Sequence, residues 1–301
     1  MANENALRPQ SWDTYIGQEK VKDRLQISID GAINRNDPLD HVLLYGEPGC
    51  GKTSLAALIS QEMKSEFVPM VMPVKVKALA KLFMEPMNGL ATTRVIFLDE
   101  IHRLSKKDQE FLLPVLEDHE IQFENGKKFQ IPGNFTVVGA TTELERIIRP
   151  LRDRFIHKPK FDEYTDDEMA DIVERMARRI SIFIPRDDAI SIGRASAGVP
   201  RQARTLVFTA RDLGTTDPEV VLETCGISAE GLTEDHMSYL EALDHMGQVA
   251  GVDVLTNYTG QPKDVLLDLE KLLVRKRYIE YTPKGRSLMV AGMKLIQSQI
   301  Q

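Results

Sequence analysis

The chain has 301 residues, a formal net charge of -7, and 42% hydrophobic and 28% charged residues, which is ordinary globular composition but too long for one core, so two or three domains are expected. It holds no run of about 18 apolar residues, so no membrane span is expected, and the polar opening MANENALRPQ does not read as a secretory signal. Two cysteines, Cys50 and Cys225, form neither a disulfide framework nor a metal-ligand spacing; a reducing, cytoplasmic location is the expectation, and the acidic balance argues against nucleic acid as a partner unless cations gather locally.

In chain order, a helical pattern over 18–34 precedes the apolar run HVLLYG (41–46), and a second helix over 52–64 precedes FVPMVM (67–72). Helix 76–83, strand RVIFLD (94–99) and helix 106–117 follow, the last opened by Ser105 with Asp108 three residues on, the spacing of a capping box. EIQFENGKKFQI (120–131) alternates around Asn125-Gly126 and reads as a hairpin, and FTVVGAT (135–141) as the next strand. Nearly unbroken apolar strands alternating with helices indicate a doubly wound parallel α/β domain. Beyond about residue 160 the strand signals stop. Thr165 with Glu168 caps a helix over 166–181, and helices at 187–197, 201–212 and 217–225 make a small all-α unit. Helices at 233–246, 248–257 and 262–275, then YIEY-TPKGR-SLMV as a hairpin, suggest a winged helix. The division is 1–160, 161–228 and 229–301.

The stretch GEPGCGKTS (46–54) fits G-x-x-x-x-G-K-[ST] between a strand and a helix, the context a phosphate loop requires. Gly46, Gly49 and Gly51 let backbone N–H groups turn inward around phosphate oxygens, and the helix N-terminus adds to the anion site. Lys52 would reach the β- and γ-phosphates and Thr53 would ligate Mg²⁺; Cys50 reads as space-filling. In RVIFLDE, Asp99 ends a buried strand where a carboxylate holds Mg²⁺ through its water shell, and Glu100 stands where it would polarise an attacking water. Thr141 and Thr142 end the next strand, beside those carboxylates if the sheet is parallel.

Together LRPQSWDTYIGQEKV, DHVLLYGEPGCGKTSLA, IFLDEIHRLS, FTVVGATT, PLRDRF and GVPRQA resemble the AAA+ ATPases, and among them the RuvB family of bacterial Holliday-junction branch-migration motors. The resemblance implies a P-loop AAA+ parallel-sheet domain, a small all-α lid and a C-terminal winged helix. It further implies ATP and Mg²⁺ as cofactors, a homo-oligomeric ring (a hexamer) with ATP sites at subunit interfaces, and duplex or branched DNA as partner. It puts Leu7, Arg8, Tyr15 and Ile16 near the adenine, and Gly49, Lys52, Thr53 and Ser54 in the phosphate loop. Asp99 and Glu100 match the Walker B pair and Thr142 the sensor 1 position. Glu117, Asp118 and His119 match another stretch near the nucleotide, with His119 replacing an aromatic. Tyr164 follows Phe155 at the family's spacing, and in GVPR, after Pro200, Arg201 matches sensor 2. In PLRDRF (150–155), with Phe155 anchoring a turn, Arg154 is the first choice and Arg152 the second for an arginine finger reaching the neighbouring subunit's ATP site, with Asp153 orienting either. The family's partner RuvA docks on an apolar hairpin tip; here the hairpin is shorter and its tip, Glu124, Asn125, Gly126, Lys127 and Lys128, is polar.

Residues 271–286 gather Lys271, Arg275, Lys276, Arg277, Lys284 and Arg286 against Glu280, a local basic patch of the kind phosphate contacts need. Lys284 and Arg286 lie in the wing turn, where the family places its DNA-backbone contacts; Lys284 stands for the more usual arginine. Two functions stay open at this stage. One is an ATP-driven motor on duplex DNA that moves Holliday junctions in recombination and repair. The other is a clamp-loader-like or assembly-scaffold ATPase whose winged helix binds protein.

Overall fold

Apolar runs become a parallel sheet. The computed structural model describes residues 7–85, 93–122 and 126–299. Strands β1 (Val42–Tyr45), β2 (Glu66–Val71), β3 (Thr93–Asp99) and β6 (Asn134–Thr141) are hydrogen-bonded in the order β1-β6-β3-β2, all parallel. The central pair, β3 and β6, is buried almost throughout, as strands covered on both faces must be. β2, with Pro69, lies at an edge, where a residue without an N–H interrupts no ladder. The other edge, β1, is covered by the segment 157–161: Leu43 N–H donates to His157 O at 2.8 Å and Phe161 N–H to Tyr45 O at 2.9 Å. This cover was not expected from sequence, and it removes an exposed strand edge.

Helices α1 (Glu19–Arg35), α2 (Lys52–Glu62), α3 (Val76–Met84) and α4 (Lys106–Glu117) lie where their apolar periodicity predicts. Ser105 caps α4, accepting from Asp108 N–H at 3.2 Å. The short Asp108 carboxylate takes the Ser105 hydroxyl at 2.6 Å rather than reaching its backbone N–H. The longer Glu168 closes the full reciprocal box with Thr165, at 2.8 and 3.2 Å. The hairpin forms as β4 (Glu120–Gln122) and β5 (Lys128–Gln130); Glu124 and Asn125 fall outside the described residues. PLRDRF does not form a turn: Arg149–Arg154 is a short helix, α5, with Pro150 in its first turn and Phe155 fully buried behind it.

His41 ties this domain together from just before β1. Its Nδ1 accepts the Val137 N–H at 3.0 Å, so Nε2 carries the proton and donates to Leu116 O at 3.2 Å. Its backbone carbonyl receives the N–H groups of Ile156 and His157. Burial holds its pKa down at about 4.

The remaining helices are α6 (Asp166–Arg179), α7 (Arg186–Ala195), α8 (Pro200–Leu213), α9 (Pro218–Cys225), α10 (Glu234–His245), α11 (Val252–Thr259), α12 (Lys263–Arg275) and α13 (Val290–Gln299). Strands β7 (Val249–Ala250), β8 (Ile279–Thr282) and β9 (Gly285–Leu288) form a three-stranded sheet in the order β7-β9-β8. The helix expected over 248–257 therefore begins later. Gln248 at φ 72° and the bond from Leu288 N–H to Gln248 O lead its first residues into the sheet instead. The expected strand SLMV stops at Leu288, and α13 follows. Tyr239, Leu240, Leu266, Leu273, Ile279 and Leu288 form the core here. The chain divides into two compact units at Glu168, with Gly198–Arg201 returning to the first. Among the described residues, no helix is long and apolar enough to cross a membrane.

Candidate functional site

The phosphate loop leaves β1 at Gly46 and enters α2 at Lys52. Gly46, Gly49 and Gly51 have φ of 156°, 76° and 106°. A Cβ at Gly51 would stand 2.6 Å from the Tyr15 hydroxyl, and one at Gly49 3.0 Å from Arg201 Cβ, so close approach as well as backbone conformation demands glycine. Lys52 is buried; its ammonium donates to the carbonyls of Gly46 and Glu47, each at 2.8 Å. Thr53 and Ser54, half-buried, follow in the first turn of α2, whose leading N–H groups have no intrahelical acceptor. Cys50 lies 3.8 Å from Lys52 Nζ, and burial pushes its thiol pKa up, so it remains a neutral filler of the loop.

The N-terminal segment is laced to the outside of this loop. Tyr15 donates to Gly51 O at 3.4 Å and Tyr164 to Cys50 O at 2.9 Å. Burial raises the Tyr164 pKa to about 12, so the phenol stays a donor. The Gln18 side chain donates to Asp162 O at 2.7 Å and accepts Asp162 N–H at 2.9 Å. Leu7 is buried, while Arg8 and Ile16 are half-buried.

Asp99 ends β3 and Glu100 follows it, so both carboxylates stand at the carboxyl end of that strand, next to the end of β6, where ligands gather in open parallel sheets. Glu100 N–H donates to Asp99 Oδ1 at 3.1 Å, and Glu100 itself sits at φ 55°, a left-handed conformation that costs a side-chain-bearing residue on the order of 1 kcal/mol. The Asp99 pKa is raised, first by burial and then by Glu100, with Lys52 and Arg201 opposing. Thr142 donates to Glu100 Oε2 at 3.3 Å. Thr141 turns away instead, to His102 Nδ1 at 3.0 Å. His102 lies within IFLDEIHRLS but has no local signal that marks it in the sequence; only the register of β3 on β6 brings it to Thr141.

Arg201, at the start of α8, is exposed but lies close enough to Gly49 and Asp99 to act on both; Pro200 opens that helix. Arg154 is held in its own chain by Glu117, with Nε 3.1 Å from Oε2 and a second, shorter contact from Nη2. The Nε of Arg152 is buried with no hydrogen-bond partner among the described residues. Asp153 pairs with Arg149 at 3.7 Å, not with either candidate finger. The His119 ring packs on Phe135, centroids 4.6 Å apart.

The basic patch is largely compensated. Lys271 pairs with Asp268 at 2.7 Å, Lys276 with Glu230 at 3.1 Å, and Arg275 donates to Ala197 O at 2.7 Å. Arg286 grips Glu270 at 2.8 and 3.1 Å. Glu270 is fully buried and also accepts the hydroxyls of Tyr239 and Tyr281, at 2.8 and 2.9 Å. This alters the expectation for Arg286: a buried carboxylate requires a paired cation, and the guanidinium is committed to it. Lys284 is exposed at the tip of the β8–β9 turn.

Comparison with known proteins agrees with this geometry. The model of the Holliday junction DNA helicase RuvB P-loop domain matches residues 7–161, and that of the RuvB C-terminal winged helix domain matches residues 229–297. The Holliday junction branch migration complex subunit RuvB of Clostridium kluyveri is 36% identical, over 94% of this chain and 86% of that protein. The chain belongs to the RuvB family. Among solved structures, the Thermotoga maritima RuvB Holliday junction branch migration motor matches with a TM-score of 0.83 at 33% identity, over 97% of this chain and 98% of that one. A mutant of the Thermotoga RuvB matches with a TM-score of 0.85 at 32% identity, over the same shares.

RuvB-family membership fixes the α/β P-loop and winged-helix architecture. It favours the motor over the clamp-loader-like alternative, because the match extends through the wing as well as the ATPase domain. On the β4–β5 hairpin, Phe129 is an exposed apolar residue.

Proposed function

We propose that this protein is an ATP-hydrolysing ring motor, cytoplasmic and hexameric, that translocates duplex DNA to drive Holliday-junction branch migration in recombination and repair. The observation that carries the reading is the convergence of phosphate loop, Asp99–Glu100 pair and Thr142 at one end of a parallel sheet, in a chain matched to RuvB over nearly its whole length. The working division is an ATPase domain over 1–160, a helical lid over 161–228 and a DNA-facing winged helix over 229–301.

The residues present suit Mg²⁺. Two adjacent carboxylates, Asp99 pushed upward in pKa by burial and by its neighbour, form a site that a divalent cation would relieve. Among the described residues no cluster of three or more His, Cys, Asp or Glu could hold a metal. Mg²⁺ is commonly held by one or two protein oxygens together with substrate phosphates. Thr53 and Asp99 would hold it, and when bound it would neutralise charge on the phosphates. Lys52 would exchange its carbonyl partners for phosphate oxygens. Glu100 would orient and polarise the attacking water, Thr142 would sense the γ-phosphate, and Arg201 would add positive charge. Arg154, released from Glu117, would serve as the finger in the adjacent subunit's site, with Arg152 the second choice. Leu7, Arg8, Tyr15, Ile16 and Tyr164 would border the adenine. Lys284 would touch the DNA backbone, with Arg286 shaping the wing beneath it, as suits a motor that holds backbone rather than bases. A RuvA-like protein would be the partner for the β4–β5 hairpin, on a surface altered by its shorter length and polar tip.

The test is ATP turnover and junction dissociation on a synthetic four-way junction, comparing the parent with Glu100→Gln. The variant should bind an ATP analogue normally and lose turnover and branch migration together. Undiminished turnover in Glu100→Gln removes the mechanism; turnover in the parent without DNA movement removes the motor.

A further inference from the structure

His102 lies in a single 3-10 turn, Ile101–Arg103, directly after Glu100. It is almost wholly buried, and each of its ring nitrogens meets a carboxylate. Nδ1 is 3.2 Å from Glu100 Oε2 and Nε2 is 3.1 Å from Glu143 Oε1. Thr141 Oγ1 stands 3.0 Å from Nδ1 and also accepts the Glu143 N–H at 3.0 Å. Glu143 is steadied from its other side by Arg146, whose Nη1 is 3.2 and 3.3 Å from its two oxygens. Burial lowers the His102 pKa, the two carboxylates raise it, and Arg146 and Arg103 lower it again. Neither neutral tautomer can donate to both carboxylates, so the ring's proton serves one or the other and couples their positions.

Thr142 and His102 meet the same oxygen of Glu100, Oε2. We infer that His102 is a positioning residue for hydrolysis: donating from Nδ1, it anchors Glu100 together with Thr142 through Oε2, while Glu143 competes at Nε2 for the ring's proton, so that Oε1 is the oxygen presented to the attacking water. The inference rests on the ATPase reading above. A carboxylate held at one oxygen keeps the other in line with the water, and displacement by about 1 Å at such a base is enough to lower the rate about 100-fold. Touching neither phosphate nor adenine, His102 acts on kcat and not on nucleotide affinity.

The experiment measures steady-state ATP hydrolysis, ATP-analogue affinity and melting temperature for the assembled protein and for His102→Ala, His102→Asn, Glu143→Gln and the His102→Ala/Glu143→Gln pair. His102→Ala should lower kcat about 10- to 100-fold with KM and analogue affinity changed less than about threefold. His102→Asn, which keeps a polar group near Nδ1, should recover several-fold of that loss. Glu143→Gln, on a part-exposed side chain, replaces the competing acceptor with an amide that can donate to Nε2, and should raise kcat by up to about threefold. In the double variant that gain should vanish, leaving kcat at the His102→Ala value, because Glu143 acts only through the ring. The inference is overturned if kcat of His102→Ala stays within about twofold of the parent. It is equally overturned if Glu143→Gln changes kcat in the His102→Ala background, or if kcat, affinity and melting temperature fall together with no recovery in His102→Asn. A parent without ATP turnover overturns the ATPase reading itself, which separates the two failures.

Discussion

Acid should loosen the ATPase domain in measurable part through one ring, His41. His41 is a neutral imidazole in the fold: Val137 N–H occupies Nδ1, and protonating that nitrogen breaks the bond and buries a charge. Its pKa falls from 6.5 to about 4 on folding. Between those values the unfolded chain binds the proton and the folded chain does not, so the contribution to stability is complete above pH 6.5 and is lost as the pH falls toward 4. At roughly 1.36 kcal/mol per pKa unit, the loss is about 2 kcal/mol at pH 5 and levels off near 3.4 kcal/mol below pH 4. The assay is urea denaturation from pH 7.5 to 4, followed by fluorescence of Trp12, the chain's single tryptophan, which lies in this unit. Other histidines are also lowered, so the informative quantity is the difference from His41→Gln, which keeps a donor and an acceptor but cannot titrate. The variant should lose about 2 kcal/mol less between pH 7 and pH 5 than the parent. Parallel stability profiles for the two proteins would refute the assignment of the neutral ring.

Four further outcomes follow from the geometry. Mixing Arg154→Ala subunits into parental rings should depress ATP turnover more than in proportion to their fraction while leaving nucleotide binding intact; strict proportionality would pass the finger to Arg152 or remove it. Arg286→Ala should destabilise the winged helix by about 3–5 kcal/mol because it strands the buried Glu270 carboxylate. Lys284→Ala should leave melting unchanged, yet reduce the salt slope of duplex binding by about one; equal melting temperatures for the two variants would contradict the division of labour. Gly51→Ala should abolish nucleotide binding, since the new methyl meets the Tyr15 hydroxyl at 2.6 Å in a left-handed backbone; calorimetric titration with an ATP analogue would detect any retained affinity.

What could be read from the sequence is what depends on neighbours along the chain. The phosphate loop shows itself because glycines, lysine and threonine are needed at fixed local spacing, and the central strands because burial on both faces leaves an unbroken apolar run. Lys52, Asp99, Glu100 and Thr142 were singled out on that basis and do come together. His102 carries no local signal of its role, since its partners Thr141 and Glu143 are reached only through strand register. Arg286 reads as a free cation until the fold buries Glu270 sixteen residues away. The short helix α5 and the strand β7 were missed for a related reason: six residues and two residues carry too little periodicity, and long-range bonds decide their form.

Tyr15 and Tyr164 reach the phosphate loop from behind, and a trans peptide is a rigid vane. When one edge of its plane is pulled one way, the opposite edge turns the other way. The phenol on Cys50 O therefore steers the N–H of Gly51, and the phenol on Gly51 O steers that of Lys52. Two hydroxyls that need never meet a phosphate thus set the direction of the dipoles offered to it. Recognition at the front of the loop is aimed from its back, by side chains 36 and 114 residues away along the chain.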